Sequence, residues 1–322
     1  MTAVPLVDLA PWYEGTPAGR RQVATEVDRA LCEVGFLLVT GHPVGAQLRD
    51  RLRAGVRPFF ARPGTEKAEL ACFPGGRGWT PPGHSGAVPP DLREAFTFGP
   101  EQPPPALVGT PEEDWFGPND WPSSTPGLAA AAAAFAHCCA VLLDDLLRVC
   151  ALALDLADDF FVARCTGSPW SVDLAWYPAH CTLGSVLPGQ MRVGGHTDAG
   201  TLTLADRGPG SGGLQVRTPD DVWVDAPAVP GALSVNAGDL LARWTGDRWR
   251  SAPHRVLPPS AERPTEELLA LVFSQVADPL AVVERLPTAA AGPSRYPPVT
   301  AGQFLRDRGE SVAAGRGRTV RP

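Results

Sequence analysis

The sequence predicts a mainly β fold of sandwich or jelly-roll type, with helices packed around one β core. Three observations predict it. From Trp170 onward, short apolar runs repeat with a period of two residues between turn-forming residues. Before that point the longer apolar segments carry the helical period instead. The chain of 322 residues also holds 34 Gly and 36 Pro. That content favours many turns over a helical bundle, yet stays below the level of a low-complexity chain.

Taken in order, Val4 to Leu9 reads as a short strand carrying Asp8 near its end. Gly19 to Val34 places Val23, Val27, Ala30, Leu31 and Val34 at helical spacing. Gly35 to Thr40 is an apolar run of strand length, closed by the turn residues Gly41-His42-Pro43. A second helix follows from about Val44 to Phe60. The stretch from Pro74 to Pro126 is rich in Gly, Pro and Trp without periodicity, and reads as surface loops. Ser123-Ser124-Thr125 supplies N-cap residues for a long helix through Leu156, with a stripe of Phe135, Cys139, Leu142, Leu146, Val149 and Ala153. Thr201 to Leu204 alternates, and Leu214–Arg217 and Val222–Asp225 flank a turn as a hairpin. Ala232 to Asn236 and Leu268 to Val276 are further strands.

The formal charge of −7 argues against a nucleic-acid or anionic-membrane partner, since both require a basic patch. The most apolar stretch, Leu128 to Phe161, is interrupted by Asp144, Asp145 and Arg148, so no membrane span is expected. The N-terminus lacks a basic start and an apolar core, which reads as cytoplasmic. Seven irregularly spaced cysteines with no CxxC pair read as reduced, buried thiols.

His196-Thr197-Asp198 carries the chemistry. In a strand, residues two apart point to the same face, so the imidazole and the carboxylate reach one metal ion together. His254 is the candidate third ligand. Two His and one carboxylate, leaving positions open, form the ligand set of non-haem Fe(II) oxygenases. The triplet alone is a weak signal, and its bland alternative is a loop His beside a solvated Asp.

The surroundings sharpen it. The stretch Gly189 to Leu204 continues through Gly212-Gly213-Leu214-Gln215-Val216, Trp223 to Pro227, Val235 to Leu240, Arg243 to Gly246 and Pro253-His254-Arg255-Val256. In order and spacing this resembles the isopenicillin N synthase-like family of Fe(II)/2-oxoglutarate-dependent oxygenases. Val4 to Leu9, Cys32 to His42, Phe59-Phe60 with Glu66-Lys67, Asp91 to Phe96 and Tyr296 to Ala301 are similar to family segments too. The resemblance implies one oxygenase domain over residues 1–322. It has an N-terminal region at 1–125, a long helix at 126–160, a jelly-roll core at 168–280 and a C-terminal segment at 281–322. It implies a double-stranded β-helix and Fe(II) on His196, Asp198 and His254. It also implies 2-oxoglutarate and O₂ as co-substrates, with hydroxylation of a small molecule as the default outcome and desaturation or ring chemistry as variants. The Ala/Gly/Pro/Arg-rich composition with little Lys resembles a high-GC bacterium and points to antibiotic or other secondary metabolism.

The chain departs from the family where that family anchors the distal carboxylate of 2-oxoglutarate with Arg-x-Ser. Leu268 and Ala270 stand at those positions. Arg192, four residues before His196, shares its face if the strand is regular, and Arg263 is the other candidate anchor. Arg243 and Arg250 are weaker options. Tyr177 remains to donate its hydroxyl to the co-substrate, although Ala175 replaces a common Asn. His42, His84, His137 and His180 read as structural or as lining the mouth, Trp79, Trp176 and Phe98 as packing, and Asn236 and Asp239 as turn residues. Two rival readings are an Fe(II) oxidase of the same fold that needs no 2-oxoglutarate, and a metal-stabilised binding protein without turnover.

Overall fold

The computed structural model describes residues 3–71, 76–83, 89–183, 186–210, 212–288 and 296–313. His84 and Cys72 lie outside them. The described chain runs β1 (Leu6–Asp8), α1 (Ala10–Tyr13), α2 (Pro17–Glu33), β2 (Phe36–Thr40), α3 (Ala46–Phe60), α4 (Gly64–Lys67), β3 (Gly78–Thr80) and β4 (Glu94–Phe98). It continues with α5 (Leu128–Ala153), β5 (Ser171–Tyr177), β6 (Val193–His196), β7 (Leu202–Asp206), β8 (Leu214–Arg217), β9 (Trp223–Asp225) and β10 (Leu233–Ala237). The last elements are α6 (Asp239–Trp244), β11 (His254–Val256), β12 (Leu268–Ser274), β13 (Val282–Val283), β14 (Val299–Thr300) and α7 (Ala301–Ala313).

Eight strands form a large sheet in the order β1-β2-β10-β7-β12-β5-β4-β3, and four form a smaller one in the order β6-β11-β8-β9. The large sheet separates two apolar layers. Leu37 and Val39 of β2, Leu202 and Leu204 of β7, Leu269, Leu271 and Phe273 of β12, and Val172 and Leu174 of β5 join the helices in one core. Their neighbours in sequence point the other way. Phe36 and Leu38 pack on Leu214 and Val216 of the small sheet, while Ala175, Tyr177, Leu268 and Ala270 form a separate inner cluster. A strand buried on both faces reads as a continuous apolar run, which is why Phe36-Leu37-Leu38-Val39 lacks alternation.

The helices follow their stripes. Helix α2 buries Val23, Ala24, Val27, Ala30 and Leu31, and its N-cap Thr16 accepts a hydrogen bond from the Gly19 N–H at 3.1 Å. It ends at Gly35, whose φ of 77° is the left-handed conformation and whose added Cβ would stand 2.3 Å from the Arg250 carbonyl oxygen. Helix α5 packs on α2 and α3. By length and composition it could cross a membrane, but half of its apolar window is buried inside the protein.

Three expectations need correction. The long helix begins at Leu128 behind Gly127, at φ 88°, and has no side-chain cap. Thr125 instead donates its hydroxyl to the Pro122 carbonyl at 2.9 Å, closing the turn before the helix. The supposed loop region contains β3 and β4, which extend the large sheet beside β5. Its Gly and Pro content masked two short strands, of which β4 pairs with β5 and β3 with β4. Third, the thiols are not all buried. The six described cysteines are free, as expected, but Cys181 is exposed.

The loop after β6 turns tightly against the large sheet. A Cβ on Gly200 would lie 2.2 Å from the Gln275 carbonyl oxygen, and Thr201 N–H donates to that same oxygen at 2.8 Å. Gly200→Ala must therefore push two strands apart, at a cost of about 1–3 kcal/mol. Thermal unfolding of the variant is expected several degrees below the parent, and an unchanged Tm would contradict this close packing.

Candidate metal centre

Pairing of the small sheet assembles the site. In β11 against β6, His254 faces His196 directly, and the register shifts before the next pair, Val256 with Val193. Residues 58 positions apart thus become neighbours, with ring centroids 4.2 Å apart. Asp198 follows β6, and its Oδ1 lies 3.6 Å from His196 Nε2 and 3.7 Å from His254 Nε2. One ligand atom from each of the three residues lies within 4.8 Å of the others.

The donors are oriented by their neighbours. His196 Nδ1 is 2.9 Å from the Gly194 carbonyl oxygen, and His254 Nδ1 is 3.1 Å from that of Ala252. With Nδ1–H donating to each carbonyl, both Nε2 lone pairs point at the shared centre. The ring of Phe36, from β2, meets His254 edge-on at 5.1 Å. Asp198 Oδ2 accepts from the Thr203 hydroxyl at 2.6 Å and from Asn236 Nδ2 at 2.8 Å, so Oδ1 is the oxygen turned to the imidazoles.

Charge agrees with geometry. Burial lowers His196 to about 4, helped by the nearby His254. Burial alone would raise Asp198, but His254, His196 and the hydrogen bonds from Asn236 and Thr203 hold it down at about 2. At neutral pH His196 is therefore neutral and Asp198 anionic, the forms a divalent cation binds. Two imidazole nitrogens and one carboxylate oxygen fit Fe(II).

Beyond the triad, Tyr177 is buried on the inner face of β5, where Leu268 is its partner in β12. Burial raises its phenol. Arg192 is 2% exposed, its Cζ is 5.9 Å from the Tyr177 ring centroid, and its Nε and Nη2 have no hydrogen-bond partner among the described residues. Arg192 immediately precedes β6, whose pairing with β11 shifts register, so the condition of a regular strand, under which it would share the face of His196, is not met. Arg263 is a surface residue, 59% exposed and 3.4 Å from Glu266 on its own turn. It lies in the turn segment between β11 and β12, outside the sheets. Arg243 stacks over Tyr296 and Phe304 near the C-terminus, away from the inner cluster. The His42 ring meets the Gly231 carbonyl at 2.9 Å, and His137 is exposed on α5.

Sequence reasoning missed three contributors. Asn236 is no mere turn residue, since it holds Asp198. Thr203 does the same, and the alternation of Thr201 to Leu204 was its only signal. Arg93, just before β4, lies 3.6 Å from Asp173 Oδ2, and its charge adds to the lowering of His196. It is held there because Asp91 accepts the Gly194 N–H at 2.9 Å and the Leu92 N–H donates to the Met191 carbonyl at 3.0 Å.

A jelly-roll interior carrying a His-Asp-His centre defines the non-haem Fe(II) oxygenase class. A profile described as the 2OG-Fe(II) oxygenase superfamily matches residues 158–265, and one described as the non-haem dioxygenase in morphine synthesis N-terminal region matches residues 4–124. The chain is 39% identical over 315 residues to validamycin A dioxygenase from Streptomyces hygroscopicus subsp. limoneus, covering 94% of this chain and 85% of that protein. Among solved structures, a full-length Neurospora crassa protein in complex with alpha-KG is similar at a TM-score of 0.84 and 26% identity, covering 96% of each chain. A 2OG-Fe(II) oxygenase family protein from Caulobacter crescentus also reaches a TM-score of 0.84 at 26% identity, covering 97% of this chain and 100% of that one. The chain belongs to the 2OG-Fe(II) oxygenase superfamily. It is a 2-oxoglutarate-dependent non-haem dioxygenase acting on a small molecule, with Fe(II), 2-oxoglutarate and O₂ as its cofactor set.

Proposed function

We propose that this dioxygenase hydroxylates an intermediate or product of bacterial antibiotic biosynthesis, with validamycin A as the first substrate to test. Fe(II) is held by His196, Asp198 and His254. Tyr177 and Arg192 would hold 2-oxoglutarate, with Arg192 taking its distal carboxylate. Bound Fe(II) with 2-oxoglutarate and O₂ supplies the oxidising power for attack at a substrate C–H bond.

The observation that carries this reading is the convergence of three oriented donors on one point. The protein's own work is positional. Thr203 and Asn236 fix which carboxylate oxygen faces the ion, and two backbone carbonyls fix both imidazole tautomers. Leu268 and Ala270 make an apolar wall opposite Tyr177 and Ala175, so a carboxylate placed there gains no ionic partner from β12. Arg192 is a buried guanidinium beside Tyr177 whose Nε and Nη2 have no hydrogen-bond partner among the described residues, and a buried donor without a partner is costly until a ligand satisfies it. Similarity to validamycin A dioxygenase over most of both chains supports the antibiotic setting.

Purified protein supplied with Fe(II), 2-oxoglutarate and air should form succinate faster when validamycin A is added, with a product heavier by about 16 mass units, one oxygen atom, in mass spectrometry. Succinate formation that validamycin A leaves unchanged would reject this substrate.

A further inference from the structure

The C-terminal helix α7 reaches the segment that joins His196 to Asp198. Arg308, on α7, donates from Nη2 to Thr197 Oγ1 at 2.7 Å, and its Nε forms an ion pair with Asp239 Oδ2 at 2.9 Å. The Thr197 hydroxyl in turn donates to Asp239 Oδ2 at 3.2 Å. Thr197 is the residue between His196 and Asp198, and Asp239 N–H donates to the Asp198 carbonyl oxygen at 2.7 Å. One guanidinium therefore ties together the side chain between two candidate ligands and the residue that grips the backbone of one of them. The ion pair is sheltered, with the Arg308 and Asp239 side chains only 20% and 22% exposed.

The helix that delivers Arg308 is itself anchored elsewhere. Arg306, on the same helix, pairs with Glu112 in the segment before α5. Arg243 of α6 lies 5.7 Å from the Phe304 ring and 4.7 Å from that of Tyr296, and donates to the Pro297 carbonyl at 2.7 Å. Helix α7 is thus a strap fastened to the body of the protein beside its contact with Thr197.

We propose that Arg308 is a positioning residue for the metal centre, and that docking of the C-terminal helix sets how tightly the ion is held. The proposal rests on the reading of His196, Asp198 and His254 as the ligands. Its physical basis is that ligand atoms must be held within about 0.5 Å of their productive geometry. Only Thr197 separates the two ligands of this loop, so rotation about its backbone moves both. Partners that orient metal ligands typically contribute about 10–100-fold to metal affinity.

The test is anaerobic Co(II) titration, read by visible absorption against a competing chelator, with neither co-substrate nor substrate present. Parent, Arg308→Ala, Thr197→Val, the double variant and His254→Ala are compared, with folding checked by thermal unfolding. Arg308→Ala is expected to weaken Co(II) binding about 10-fold or more. Thr197→Val, nearly isosteric and uncharged, is expected to do the same, and the double variant to be no worse than the weaker single. Affinity equal to the parent in a folded Arg308→Ala or Thr197→Val, or losses that simply add, would overturn the proposal. His254→Ala separates the two levels: if it still binds Co(II) like the parent, the ligand assignment itself is wrong. Should Arg308→Ala not fold, Thr197→Val alone decides the matter.

Discussion

Asp198→Ala is expected to leave a folded protein that neither retains Fe(II) through gel filtration nor turns over, with kcat/KM reduced by more than about 1,000-fold. Asp198 is the one anion of the triad and is held at about 2, so at neutral pH it supplies the full negative charge that balances the cation. Alanine removes that charge and leaves two imidazoles facing each other at 4.2 Å between centroids. It also strips the acceptor from the Thr203 hydroxyl and Asn236 Nδ2. Each orphaned buried donor costs about 1–3 kcal/mol, so Tm should fall as well. Asn236→Ala separates the two effects. It keeps the carboxylate but frees its orientation, and should weaken metal binding about 10–100-fold without abolishing it. Iron content measured after desalting, beside substrate-dependent O₂ uptake, reads both. Normal iron content in Asp198→Ala would remove the foundation of the metal assignment.

Arg192→Ala is expected to raise the KM for 2-oxoglutarate about 100-fold. A charge-assisted hydrogen bond to a carboxylate is worth about 1.5–3 kcal/mol, and a bidentate pair sits at the upper end. A general structural fault would produce the same loss, so the comparison that decides is with 2-oxovalerate, which lacks the distal carboxylate. The parent should prefer 2-oxoglutarate strongly, and Arg192→Ala should lose that preference while binding 2-oxovalerate as the parent does. The weak visible band that forms anaerobically with Fe(II) reports binding without turnover. Arg93→Ala is the informative control, because its guanidinium already faces Asp173 at 3.6 Å. If Arg93→Ala erases the preference and Arg192→Ala keeps it, the anchor is Arg93. Arg263→Ala should change neither value, since its side chain is in solvent.

Much of the fold is legible because burial dictates residue type. The runs at 36–39 and 268–273 are apolar on both faces since helices cover one side of the large sheet and the small sheet or the inner cluster covers the other. The hairpin from Leu214 to Asp225 announces itself by the turn residues Pro219, Asp220 and Asp221, and the structure pairs Gln215 with Asp225 across it. Strands β3 and β4 were hidden because short strands at a sheet edge owe their existence to the neighbour they pair with. The start of α5 was misplaced because three residues of good capping chemistry stand just before a glycine turn.

Residue order, with the family resemblance it carries, points to the chemistry of the centre. His196 and Asp198 are two residues apart, and the pattern around them marks His254 as their partner, so the donor set follows from residue type and order. Everything reached through space had to wait for the folded chain. Asn236 and Thr203 bond to Asp198, Arg93 sits beside Asp173 and Arg308 locks onto Thr197 across 111 positions of chain. The physical reason is range. Periodicity reports which face of an element is buried, because that depends on near neighbours, whereas a hydrogen bond between distant segments leaves no local mark on either of them.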